Sequence, residues 1–249
     1  SKTVAVLADP VFDGKDERVR ASGAGPQAVP PPRQQSGKLS RALRDIGDVG
    51  DDALTLPKLE YSLREANAIT AVAPRGSWMK AVDFRASRAT ATSPALKQFR
   101  VVHFATHGLL NEKHPELSGI VLSMVNERGQ PEDGFLSLRD IYQLDLPVEL
   151  VVLSACRTGL GKQVQGEGLV GLTRGFMYAG APRVVVSLWR VDDAATAELM
   201  GRFYRHLLGK NRPPAATALR RAKIEMMEAH ADWRAPYFWA GLVLQGDWK

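Results

Sequence analysis

The sequence predicts an α/β fold, a mostly parallel sheet covered by helices on both faces. Val101–Ala105 (VVHFA), Glu149–Ala155 (ELVVLSA) and Arg183–Leu188 (RVVVSL) are near-continuous apolar runs of strand length, as central parallel strands require. Helical patterns lie between and after them, at about Ser137–Leu144, Gly168–Tyr178, Ala194–Leu208 and Ala215–Ala229. A length of 249 residues suffices for one large core, so residues 1–249 read as a single domain.

Taken in order, Thr3–Ala8 (TVAVLA) is an apolar run too short for a helix and stopped by Asp9 and Pro10, which predicts a buried strand. Residues 13–37 are polar and rich in Gly and Pro, ending in Pro30, Pro31 and Pro32, and predict a long flexible loop inserted into the fold. A helix is expected over Leu59–Val72, with Leu59, Leu63, Ala66 and Ile69 or Thr70 on one face and Pro74 and Gly76 ending it. A second, short helix fits Ser93–Gln98, where Ser93 can cap and Pro94 suits the first turn. In the Ala194–Leu208 pattern, Met200, Phe203, Tyr204 and Leu207 recur at helical spacing and predict a core-facing stripe. Phe238–Leu244 (FWAGLVL) reads as a last strand at the sheet edge. The chain shows no solenoid period.

Composition excludes several classes. No stretch approaches the roughly 20 uninterrupted apolar residues of a membrane-spanning helix, and the opening SKTVAVLADP lacks the pattern of a secretory signal. Cys156 is the only cysteine, so no intrachain disulfide forms, and a lone thiol favours the cytoplasm. A net charge of +6 permits a nucleic-acid or acidic partner, but Arg41, Arg44, Arg85, Arg88, Arg220 and Arg221 form only short groups without interleaved aromatics. Solvated faces are expected there, and nucleic acid is not expected as a direct partner.

In open parallel sheets ligands bind beyond the carboxyl ends of strands. There VVHFATHG ends at His107 and Gly108, and VVLSACRTG ends at Cys156, Arg157, Thr158 and Gly159. The sole cysteine and one of five histidines thus stand at equivalent strand ends, a nucleophile beside a base. A free thiol with a pKa near 8.5 is mostly protonated at neutral pH, and a histidine in reach can take its proton. Attack on an amide carbonyl also develops an oxyanion, for which the backbone N–H groups of Gly108 and Cys156 are candidates. The bland alternative is a buried, inert Cys156. His103 lies four residues before His107, but a strand run lacking the glutamate of a zinc-binding helix argues against metal. In a continuous strand His103, Ala105 and His107 point the same way, so His103 is expected to be a hydrogen-bonded core residue. His114, His206 and His230 read as ordinary surface residues without partners. No metal site and no cofactor are expected.

Caspase-type peptidases carry an alanine–cysteine pair shortly before a glycine, with a histidine about 50 residues upstream; SACRTG and His107 fit, apart from one extra residue before the glycine. With HFATHG at His103–Gly108, LSACRTG at Leu153–Gly159, GEGLVGLTRGFMYAGA at Gly166–Ala181, SLWRVDDAATAELM at Ser187–Met200 and PYFWAGLVLQG at Pro236–Gly246, the chain resembles the CHAT domain family. These are caspase-like cysteine peptidases of the clan of caspases and separases, common in bacteria.

The resemblance implies a caspase-hemoglobinase-like three-layer α/β/α sandwich. In it His107 assists and Cys156 attacks a peptide carbonyl, forming an acyl-enzyme. It also implies a specific protein substrate and a bacterial signalling, defence or cell-death pathway. Glu167 is expected to shape the cleft or a switch loop, or to cap a helix. Asp192 or Asp193 resembles the acidic residues with which separases receive a basic side chain, Arg190 the caspase arginine that receives an acidic one. Asp192 can equally cap the following helix. A basic or uncharged P1 set by Asp193 is the favoured reading. Leu160–Glu167 is expected to be a loop that orders before catalysis, with Lys162 a self-cleavage point. The chain is expected to be cut from a longer protein, or to work beside a separate subunit, with TPR repeats or another sensor module. The alternative function is a catalytically silent interaction module that keeps the dyad.

Overall fold

A computed structural model describes residues 1–21, 37–46, 56–111, 114–154, 156–158, 167–189, 191–229 and 231–248. In chain order, the amino-terminal part holds β1 (Lys2–Ala8), α1 (Glu17–Ala21), α2 (Gly37–Ile46), α3 (Ser62–Val72), β2 (Trp78–Ala81) and α4 (Arg88–Ala91). The middle holds β3 (Phe99–Ala105), β4 (His107–Leu110), β5 (Gly119–Val121), β6 (Phe135–Ser137), α5 (Leu138–Tyr142), β7 (Leu150–Leu153) and β8 (Cys156–Thr158). Then follow α6 (Glu167–Tyr178), β9 (Arg183–Ser187), α7 (Asp193–Leu207), α8 (Ala215–Ala229) and β10 (Leu242–Gly246).

Six strands form the main sheet in the order β10-β9-β7-β3-β1-β2. All pairings are parallel except β10 on β9. Two-residue periodicity sends alternate side chains to opposite layers. Ala5, Leu7, Val102, Phe104, Val151, Leu153, Val184 and Val186 join a core with Leu138 and Ile141 of α5 and Leu172 and Phe176 of α6. Val4, Val6, Val101, Val152 and Val185 face the other way, onto Ile69 of α3, Leu199, Met200 and Phe203 of α7, and Leu219 of α8. The result is a three-layer α/β/α sandwich around a mostly parallel sheet.

The boundaries differ from expectation where tertiary contacts intervene. The α3 helix begins at Ser62, because Leu59–Tyr61 forms a turn in which the Ser62 hydroxyl donates to the Leu59 carbonyl at 2.7 Å. Part of the loop expected at 13–37 is ordered: α1 buries Val19 beside Val11 and Val125, and Arg18 reaches Asp9 at 3.0 Å, Asp16 at 2.8 Å and Asp83 at 2.7 Å. Residues 22–36 of that loop lie outside the described residues. The segment Pro94–Gln98 is a 3-10 turn capped by Ser93. Ser137 forms a capping box with Asp140 at the start of α5. Leu242–Gly246 is the antiparallel edge strand, the expected Phe238 start being displaced by a turn at Pro236–Phe238.

A second sheet, in the order β6-β5-β4-β8, was not visible in the sequence pattern. It rises from the carboxyl ends of β3 and β7: β3 stops at Ala105, Thr106 donates its hydroxyl to the Val121 carbonyl, and the chain continues as β4.

Candidate active site

Parallel pairing of β4 with β8 sets Gly108 opposite Cys156. Residues far apart in sequence thereby become neighbours on two short strands at the carboxyl rim of the main sheet, the location expected for chemistry. Cys156 and Glu167, the first residue of α6, are described by backbone alone.

The His107 side chain is buried, with 2% of its surface exposed. Its Nε2 lies 2.7 Å from the carbonyl oxygen of Pro57, and its ring stacks at 5.1 Å and 37° on Phe12. A carbonyl only accepts, so Nε2 donates and carries the proton. In the neutral ring Nδ1 then holds the lone pair, and the tautomer is set for proton uptake there. Pro57 and Phe12 were not found from the sequence. A main-chain carbonyl has no residue signature, and it lies 50 positions upstream of the histidine it orients. Phe12 and Leu56 are held by an apolar cluster containing Leu39, Leu109 and Met124.

His103 occupies different surroundings, because the break at Thr106 separates the two histidines that a continuous strand would have aligned. Its ring is fully buried between α3 and α7, with Nδ1 3.0 Å from the Tyr204 hydroxyl and Nε2 2.8 Å from Glu65 Oε1. The second approach is close but misdirected: neither Nε2 nor Oε1 has a well-formed hydrogen bond. Burial, then the Glu65 carboxylate, raises the Tyr204 phenol well above its ordinary value, so its O–H stays available to donate.

The two aspartates after β9 have separate duties. Asp192 caps α7, its Oδ1 accepting from the Ala195 N–H at 2.8 Å. Asp193 reaches across to α3, where its Oδ2 accepts the Tyr61 N–H at 3.0 Å. Burial is the largest cause that raises the Asp193 carboxyl; the Tyr61 N–H opposes it, and Glu65, Asp192 and Glu60 add to it. Arg190 and the loop 160–166, with Lys162, lie outside the described residues, as does His230. His114 and His206 are not without partners, as the sequence suggested: His206 Nε2 is 2.7 Å from Glu225 and His114 Nδ1 is 3.3 Å from Glu116. Among the described residues no helix is long and apolar enough to cross a membrane.

The family model for the CHAT domain matches residues 1–247. Human tetratricopeptide repeat protein 28 is 33% identical over 183 residues, 61% of this chain and 7% of that protein. The mouse protein of the same name is 39% identical over 111 residues, 45% of this chain and 4% of that protein. This chain therefore spans less than a tenth of the curated relatives it matches. Among solved structures, the Arg-specific cysteine proteinase gingipain R superposes with a TM-score of 0.47 at 12% identity, covering 99% of this chain and 46% of that one.

Proposed function

The chain belongs to the CHAT domain family, and from that premise we propose that it is a cysteine endopeptidase acting through Cys156 and His107 on a specific protein substrate. The observation that carries the reading is the pairing of Gly108 with Cys156, which sets the strand of the histidine beside that of the cysteine.

In this mechanism Nδ1 of His107 takes the Cys156 thiol proton, and the thiolate forms a C–S bond to the substrate carbonyl. The carbonyl electron pair moves onto oxygen, where the backbone N–H groups of Gly108 and Cys156 receive it. Collapse breaks the C–N bond as the imidazolium returns its proton to the leaving amine. Water then adds to the thioester while His107 takes its proton, and breaking the C–S bond restores the thiol.

Glu167 and Arg190 are proposed to border the substrate cleft; the Asp193 carboxylate on which a basic P1 rested is engaged by the Tyr61 N–H. The name of the mammalian relatives supports a TPR or other sensor module, in the same chain or a separate subunit. The pathway type is signalling, defence or cell death in the cytoplasm; a bacterial origin is no part of the reading, the reported relatives being human and mouse.

The burial of His107 under Phe12 and Pro57 favours a resting form that must open before substrate enters. The same observation keeps a second reading alive, an interaction module that retains the dyad without turnover. A proteome-derived peptide library, cut by the wild type beside Cys156→Ala with new termini read by mass spectrometry, tests both. Cuts that need Cys156 support the peptidase. No cuts from folded protein, together with no covalent capture of Cys156 by a thiol-directed peptide electrophile, leave the module.

A further inference from the structure

Tyr61 stands at the start of α3, where a backbone N–H has no partner within its own helix. That N–H is taken by a carboxylate from another helix, Asp193 Oδ2 at 3.0 Å. Asp193 is the first residue of α7, so one side chain ties two helix starts together. Four residues before Tyr61, the Pro57 carbonyl accepts from His107 Nε2. Between the two anchors the chain has little freedom: Pro57 has a restricted φ, and Leu59 accepts from both the Ser62 hydroxyl at 2.7 Å and the Ser62 N–H at 3.2 Å. Residues 57–61 thus form a short strap whose far end is pinned by Asp193 and whose near end orients the histidine.

We infer that Asp193 is a positioning residue for His107, acting through Tyr61 and Pro57 to hold the imidazole in its Nε2-protonated form, and that it does not read the P1 side chain. The inference rests on the peptidase reading for its catalytic meaning, but the geometric link stands without it. Asp192, its neighbour in sequence, serves as the internal control, because its carboxylate caps only its own helix.

The test compares Asp193→Ala, Asp193→Asn and Asp192→Ala with wild type. Nitrogen-15 spectra of labelled histidine, assigned with His107→Gln, report the tautomer of His107 on the free protein. Asp193→Ala is expected to turn a single Nε2-protonated signature into a mixture, to lower kcat about tenfold with KM little changed, and to move the limb of the pH profile that reports His107. P1 preference stays the same. Asp193→Asn keeps an acceptor for Tyr61 and is expected to restore the single tautomer and most of the turnover. Asp192→Ala leaves the signature in place. An unchanged His107 signature in folded Asp193→Ala overturns the inference, as does a changed P1 preference with the tautomer intact. Because the nitrogen signature needs no substrate, it decides the link even if the wild type cleaves nothing, an outcome that counts against the peptidase reading alone.

Discussion

His103 and His107 lie four residues apart and are both buried, yet one belongs to a closed cluster under the main sheet and the other to the rim where two sheets meet. Around His103 the polar partners are side chains from two helices, Glu65 from α3 and Tyr204 from α7, beside an apolar layer. Around His107 the partners are a main-chain carbonyl, a phenylalanine from the segment after β1, and a short strand that pairs with Cys156. A side-chain cluster sealed in the core can stabilise and specify packing, but no reacting group reaches it. A ring held at one nitrogen by a strap, beside a strand carrying a thiol, can exchange a proton when the strap and its cover permit entry. Burial alone does not distinguish the two histidines; the origin of their partners does.

Substitutions should separate them. The largest effect is expected from His107→Ala, which should lower peptide cleavage about 10³-fold by removing the base, a loss far beyond what its effect on folding accounts for. Comparable activity in that variant would erase the contrast. His103→Ala should do the reverse and destabilise the fold by about 3 kcal/mol, because it leaves the Glu65 carboxylate buried without its neighbour. An unfolding midpoint equal to wild type would show that the cluster carries no stability. Tyr204→Phe removes only the hydroxyl facing Nδ1, so a smaller loss of about 1.5 kcal/mol is expected in the same measurement. Asp192→Ala, which removes a helix cap away from both histidines, should cost about 1 kcal/mol.

The smallest effect concerns pH. The hydrogen bond from Arg100 first, and its charge second against the opposing effect of burial, hold the Glu149 carboxyl below its ordinary value of 4.5. A depressed folded value means that the pair contributes stability above pH 4.5 and loses it as pH falls through the lower folded value. Glu149→Gln should therefore flatten the acid side of the stability curve slightly, because the partly exposed pair is screened by solvent. Thermal unfolding at stepped pH values below 4.5 would expose a flaw if the variant kept the wild-type slope.

The central main-sheet strands were legible because side chains buried on both faces must be apolar, and VVHFA, LVVL and RVVVS are little else, whereas the edge strand β2 (WMKA), short and mostly not buried, carries no such run. The rim positions of His107 and Cys156 followed from where those runs end. The second sheet was illegible because its strands have three or four residues, too few for a period to show. The late start of α3 was illegible for a different reason: Leu59 fits the helical stripe, but its carbonyl is taken by the Ser62 hydroxyl and N–H in a local turn, and the Tyr61 N–H is taken by Asp193 from α7.

Sequence by itself determined the layer architecture, the edge strand and the family, since each depends on which side chains are apolar and on motifs read along the chain. The division of labour between Asp192 and Asp193, the Pro57 carbonyl on His107, the divergence of the two histidines at Thr106 and the pairing of Gly108 with Cys156 were decided only in three dimensions. The physical reason is that these depend on backbone donors and acceptors, which every residue carries alike, so folding alone determines which of them meet.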